Sequence, residues 1–123
     1  MEFFNSDAKY KQIFNLIPDA IFIQTIADGG GESRFLEVND AACRLMECTR
    51  EEIMALPTTQ IRPEVSQSDI AKIVENLKQF GVHRCTDELY TRAGKKVKVE
   101  RISSFHTVNG KQMVMTVFRN LAE

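Results

Sequence analysis

Residues 35–57, FLEVNDAACRLMECTREEIMALP, decide the fold. They pass from an extended apolar stretch into two helix starts, at Asn39 and Thr49, and Pro57 closes the second helix. Asn39 is a good N-cap for AACRLM, because its side-chain oxygen can accept from the backbone N–H groups that a first helical turn leaves without partners. Thr49 followed three residues later by Glu52 is a capping box, and Ile53, Met54 and Leu56 supply the apolar side of that helix. The stretch therefore predicts a strand and two short helices, each started and stopped by local chemistry.

Upstream, Ser6 and Asp7 can cap a helix whose apolar positions Tyr10, Ile13, Phe14 and Ile17 share one face, ended by Pro18. AIFIQTI (20–26) is apolar at both alternating sets of positions, so it reads as a strand covered on both sides. DGGGES (28–33) makes a turn, and RFLEV completes a first hairpin. Downstream, PTTQIRPEV is irregular because of its prolines. SQSDIAKIVENLKQF then carries Ile70, Ile73, Val74 and Leu77 on one helical stripe, with Gly81 placed to end it. Three strands follow, VHRCTDELYTR, KKVKVERISSFHTV and KQMVMTVFR, joined by the hairpin turns AGK and NGK. The order is a helix, two strands, several short helices and three strands, an α+β pattern without internal repeats.

A chain of 123 residues with 43% hydrophobic content supports one domain with a modest core. Sixteen basic against seventeen acidic side chains leave a net charge of -1, which excludes a global electrostatic pull toward nucleic acid or anionic lipid. Cys43, Cys48 and Cys85 are odd in number and lack CxxC or zinc-ligand spacing, so a reducing, cytoplasmic compartment is expected. No apolar run reaches the ~18 residues of a membrane span, and MEFFNSDAKY lacks the features of a secretion signal. A soluble piece is expected, whether or not its parent protein is membrane-tethered.

The element order, together with VNDAA (38–42), TREEI (49–53), RAGKKVKVE (92–100) and VFRNLAE (117–123), resembles the PAS domain family over roughly residues 8–122. The resemblance implies an α+β PAS fold: a five-stranded antiparallel sheet flanked by short helices, with residues 1–17 as a flanking segment and amphipathic helix and residues 18–123 as the core. Departures are informative. Glu47 and Cys48 stand where the family commonly has a Gly-Tyr pair, and Asn120, Leu121 and Ala122 stand where Asp, Ile and Thr are usual. Ala93 replaces a customary turn Asp.

The resemblance further implies a sensory and dimerisation module, joined to an output domain such as a histidine kinase or a cyclic-dinucleotide enzyme and sensing a small molecule. The cofactor stays unknown. The long helix SQSDIAKIVENLKQF offers no histidine to ligate haem iron, and PTTQIRPEV holds no cysteine to react with a flavin, which argues against both groups. His83 and His106 read as strand histidines, and Cys43 and Cys85 as fillers of core or strand.

Alternation in KVKVERISSF puts Val97, Val99, Arg101, Ser103 and Phe105 on one face and Lys96, Lys98, Glu100 and Ile102 on the other. If the valines face the helices, Arg101 must either meet an acidic side chain or hold an anionic ligand group; alternatively a bulge or twist sends it to solvent. The ligand-pocket candidates are Met46, Ile53, Ile73, Val74, Leu77, Arg101 and Ser103. The lysine face is a solvated surface, and no nucleic-acid partner is expected. Helices on one face of the sheet leave the other to the N-terminal helix, a second copy, or both, so a homodimer through Phe3, Phe4, Ile13 and Phe14 is expected. Two further readings stand beside the sensor: a ligand-free structural relay, and a small α+β enzyme. Against the enzyme, the chain shows no nucleophile–base pair, metal-ligand cluster or phosphate loop, and Asp40, Glu51 and Glu52 are explained by capping and the helix dipole.

Overall fold

The computed structural model describes residues 8–25, 35–55 and 67–121. Its elements are α1 (Ala8–Leu16), β1 (Ala20–Thr25), β2 (Phe35–Val38), α2 (Asp40–Met46), α3 (Arg50–Met54), α4 (Gln67–Phe80), β3 (Val82–Tyr90), β4 (Lys96–Val108) and β5 (Lys111–Asn120). The strands form a five-stranded sheet in the order β2-β1-β5-β4-β3, antiparallel at every junction. The expected turn at 28–33, the irregular segment, Pro57, and the caps Ser6 and Asp7 lie outside the described residues.

Both helix starts form as their caps dictate. The Thr49 side chain accepts from the Glu52 N–H at 3.1 Å, while Glu52 accepts the Thr49 N–H at 2.8 Å. These bonds, with the Thr49 N–H foremost and Arg92 second, hold the Glu52 carboxyl below the usual carboxylate range. Glu47 ends α2 in the left-handed region, φ 60 and ψ 37, with its N–H turned back to the Arg44 and Cys43 carbonyls. This is the place where relatives commonly carry glycine, and a Cβ there is strained.

Asn39 is fully buried and does more than cap α2. Its Oδ1 accepts the N–H of Ala42 at 3.0 Å and of Ile21 at 2.9 Å, and its Nδ2 donates to the carbonyls of Phe14, Ile17 and Asp19 at 3.3, 3.4 and 3.0 Å. One amide thus starts α2, satisfies carbonyls at the end of α1, and pins β1 between them.

Alternation sorts β1 between two cores, as its doubly apolar pattern predicts. Ala20 and Phe22 point to the inner face and join Phe35, Val38, Ala42, Met46, Ile53, Leu89, Val97, Val99 and Phe118. Phe22 meets Phe35 and Phe118 at centroid distances of 5.4 Å, the latter edge-on. Ile21 and Ile23 point to the outer face, where Phe14 of α1 covers them beside Ile17, Met113, Met115 and Val117.

The stripe expected on α1 is only partly correct. Phe14 is buried and Ile17 packs beside it, but Ile13 is 51% exposed, because the helix leans on the sheet along the Phe14 and Ile17 line; Leu16, outside the expected stripe, is 80% exposed. Phe14 is therefore used inside the chain and is not a free contact for a second copy, as expected of it; Ile13 remains exposed, and Phe3 and Phe4 lie outside the described residues.

Asn39→Ala should cost about 3–5 kcal/mol in urea unfolding, since it strands several buried backbone groups at once. Asn39→Asp should be at least as damaging near neutral pH and recover as pH falls, because a carboxylate facing carbonyls is destabilised in its charged form. Glu47→Gly should stabilise the chain by about 0.5–1 kcal/mol, the relief of left-handed strain less the entropy that glycine adds to the unfolded state. Unchanged stability in that variant would show that Glu47 is unstrained.

Candidate functional site on the inner face of the sheet

Strand alternation places a polar group among the apolar inner-face side chains of β3, β4 and β5. In β4, Val97 and Val99 face inward, and with them Arg101, only 4% exposed, and Ser103, 1% exposed. The ladder runs through Arg101 without a bulge, which settles the sequence alternatives: Arg101 turns inward and meets an acidic partner. Register sets Cys85 of β3 directly opposite Arg101, and Thr116 of β5 directly opposite Ser103. Asp87, one inward position along β3, brings its Oδ2 to 3.2 Å from Arg101 Nε.

The contacts form one connected cluster. Arg101 donates to Ser103 Oγ at 3.3 Å and to Cys85 Sγ at 3.1 Å. Ser103 and Thr116 share a hydroxyl hydrogen bond of 3.0 Å. Since Ser103 Oγ accepts from the guanidinium, its own proton is available to Thr116. The Nε–Oδ2 approach is an ion pair by proximity, with both atoms buried and neither aligned for a hydrogen bond. A guanidinium removed from water needs such a counter-charge, and the cluster as a whole is electrically neutral.

The remaining sequence candidates distribute as follows. Met46 and Ile53 are fully buried in the main core beside Phe22, and Leu77 of α4 is buried. For Ile73 and Val74 only the helical backbone is described. None of these residues lines the open groove at the other end of the sheet, which is bounded by Pro18, Asp19, Ala20, Arg44, Leu45, Phe118 and Arg119. Beside that groove β5 leaves the sheet: Arg119 pairs with Asp19 at 3.5 Å and Glu100 at 3.8 Å, and the Leu121 N–H donates to the Lys98 carbonyl at 3.0 Å.

Asp87, Cys85 and Thr116 were absent from the sequence candidates. Thr116 was within reach, because alternation in KQMVMTVFR puts it on the face of Val114 and Phe118. Asp87 and Cys85 depend on the β3–β4 register, which is set by the length and geometry of the turn between Tyr90 and Lys96 and not by the alternation within either strand. Desolvation raises the Cys43 thiol above its ordinary value, with Asp40 adding to the shift, and desolvation and Glu52 do the same for Cys48. Neither favours a reactive thiolate. Among the described residues, no group of His, Cys, Asp and Glu is arranged to hold a metal ion.

The comparisons with known proteins agree with this architecture. A family model described as a PAS domain matches residues 8–81, more than half of the chain. The chain belongs to the PAS domain family. Its fold is similar to the PAS domain of an HTR-like protein from Haloarcula marismortui, at TM-score 0.80 and 16% identity over 94% of this chain and 92% of the other. It is also similar to a PAS domain from a two-component sensor histidine kinase, at TM-score 0.74 and 22% identity over 94% and 99% of the two chains. A third likeness is to a domain of a sensory box sensor histidine kinase/response regulator from Geobacter sulfurreducens, at TM-score 0.70 and 24% identity over 94% of each. No curated protein sequence matches the chain significantly.

The ion pair can be tested by a double-mutant cycle. Asp87→Ala leaves a buried guanidinium without its counter-charge and should cost about 3–5 kcal/mol. Arg101→Met should cost less, because the carboxylate lies nearer to solvent and can rehydrate. The joint variant should recover most of the Asp87→Ala loss in urea unfolding, whereas strictly additive losses would show that the two groups are not coupled.

Proposed function

We propose that the chain is the sensory module of a larger signalling protein, binding a small polar molecule at the Arg101 cluster and relaying its presence through a homodimer to an output domain of the histidine kinase or cyclic-dinucleotide type. The observation that carries this reading is the buried Arg101, Asp87, Ser103 and Thr116 group on the sheet face turned toward the helices. An apolar set of the same volume would pack there at no electrostatic cost, so a polar set at that place supports a recognition role. Because Arg101 is already balanced by Asp87, the ligand class it supports brings no net charge: a zwitterion or a neutral hydrogen-bonding molecule. Family membership and the likeness to domains of sensor histidine kinases support the same reading. We read the domain as regulatory, without chemistry of its own, and its three free cysteines suit a reducing cytoplasm.

One observation favours the second reading, a ligand-free relay: the chain supplies Arg101 with its own acidic partner. Native mass spectrometry of protein purified without denaturation separates the two. The sensor reading expects a small adduct on the wild type and on Lys98→Gln, whose side chain is on the opposite face of β4, and its loss from Arg101→Gln. Adduct-free protein whose thermal stability answers to no zwitterionic or neutral metabolite would leave the relay as the function.

A further inference from the structure

Strand β3 is the last in the sheet order, so among the described residues one of its edges carries no neighbouring strand. Backbone bonds show which residues present that edge. The Phe105 N–H donates to the Gly81 carbonyl, and the Thr91 N–H to the Lys95 carbonyl, both at 2.9 Å. In the continuous β3–β4 register these bonds mark the odd-numbered residues of β3 as the ones that bond to β4. The even-numbered residues, Val82, Arg84, Thr86, Glu88 and Tyr90, therefore turn their N–H and C=O groups outward. In agreement, the Glu88 N–H has no strand partner and is held by the Asp87 carboxylate at 2.8 Å. An open edge is a template for pairing, and proteins usually blunt one with proline, a bulge, charged side chains or a very short strand; on β3 the inward Asp87 is such a charge, and it caps the Glu88 N–H. β3 spans Val82–Tyr90, contains no Pro, Gly or Lys, and pairs with β4 without a register shift.

We infer that β3 is a homodimer interface, pairing antiparallel with β3 of a second copy about a two-fold axis through Thr86, so that the two sheets become one. This deepens the homodimer reading above and rests on it. A two-fold axis perpendicular to the sheet keeps each side chain on its own face and pairs only outward-turned residues with one another. Centred on Thr86, it sets Arg84 against the partner's Glu88, Glu88 against the partner's Arg84, and Thr86 against the partner's Thr86. Val82 then meets the partner's Tyr90, so every pair on this face is of a favourable cross-strand type. Centring on Arg84 or Glu88 instead sets like charges directly opposite, so the strand specifies its own register.

Charges on β4 extend the pattern. Arg84 lies 3.7 Å from Glu100, and Glu88 lies 3.7 Å from Lys96, so pairing creates a row that alternates in sign from one β4 to the other. The carboxylate that holds the Glu88 N–H is also the one that faces Arg101. Edge pairing takes that N–H from Asp87 and turns the carboxylate wholly to Arg101, which links the interface to the inner-face cluster.

Sedimentation equilibrium of the purified chain tests the interface. The wild type should show a concentration-dependent dimer. Thr86→Pro removes an outward N–H without touching the β3–β4 ladder, and should weaken association at least tenfold while circular dichroism stays native. Arg84→Glu should weaken it similarly, and Arg84→Glu/Glu88→Arg should recover a measurable part of that loss, the remainder reflecting the like charges the exchange sets beside Glu100 and Lys96. Ile13→Ser/Leu16→Ser, on the exposed side of α1, should leave it unchanged. A wild type that is monomeric at every concentration overturns the homodimer reading itself. A dimer that ignores Thr86→Pro, or that the charge exchange does not restore even in part, overturns this interface and leaves the dimer to another surface.

Discussion

Everything described here is arranged around the side chain of Asn39. A buried amide with donors and acceptors on opposite ends can join elements that share no packing stripe, and here it joins the end of α1, the start of β1 and the start of α2. Helix ends need such partners because their terminal carbonyls and N–H groups have none inside the helix. With α1 held against the outer face and α2 against the inner one, β1 lies between two apolar layers, and its unbroken run Ala20–Ile23 is buried on both sides.

That arrangement explains why polar chemistry is found on the β3–β4–β5 side of the sheet. Around β1 the inner face is filled by Phe22, Phe35 and Phe118, with Met46 and Ile53 packed from the helices, and no room is left for charge. Farther across, the inward positions of successive strands are Thr116, then Arg101 and Ser103, then Cys85 and Asp87. The strand alternation that turns Leu89, Val97 and Val99 into the apolar core thus also turns Asp87, Arg101 and Ser103 into a neutral polar cluster beside it. Asp87 belongs to that cluster and also to the edge strand, so one carboxylate stands between the interior and the edge proposed as the dimer interface.

Much of this was legible locally. The cap at Asn39, the capping box at Thr49 and Glu52 and the two-sided burial of β1 all follow from residue type and spacing, because caps and strand alternation act over a few residues, whereas the face of Arg101 stayed open between the helices and solvent until the unbroken ladder placed it inward. The motifs that resemble the PAS family are largely these same signals in order, which is why the family could be read before any tertiary contact was known.

What the tertiary structure decided were the relations between segments. Which acidic group answers Arg101 depended on the β3–β4 register; that Phe14 is enclosed while Ile13 is not depended on the lean of α1 across the sheet; that Asn39 ties three elements together depended on carbonyls far from it in sequence. Glu47 in the left-handed region shows the same division in one residue, for the composition of the turn argued against that geometry and the need to end α2 beside α3 imposed it. Local chemistry specifies where an element begins and which way its side chains alternate, but a partner across the sheet is chosen by chain closure and packing, and neither leaves a mark at any single position.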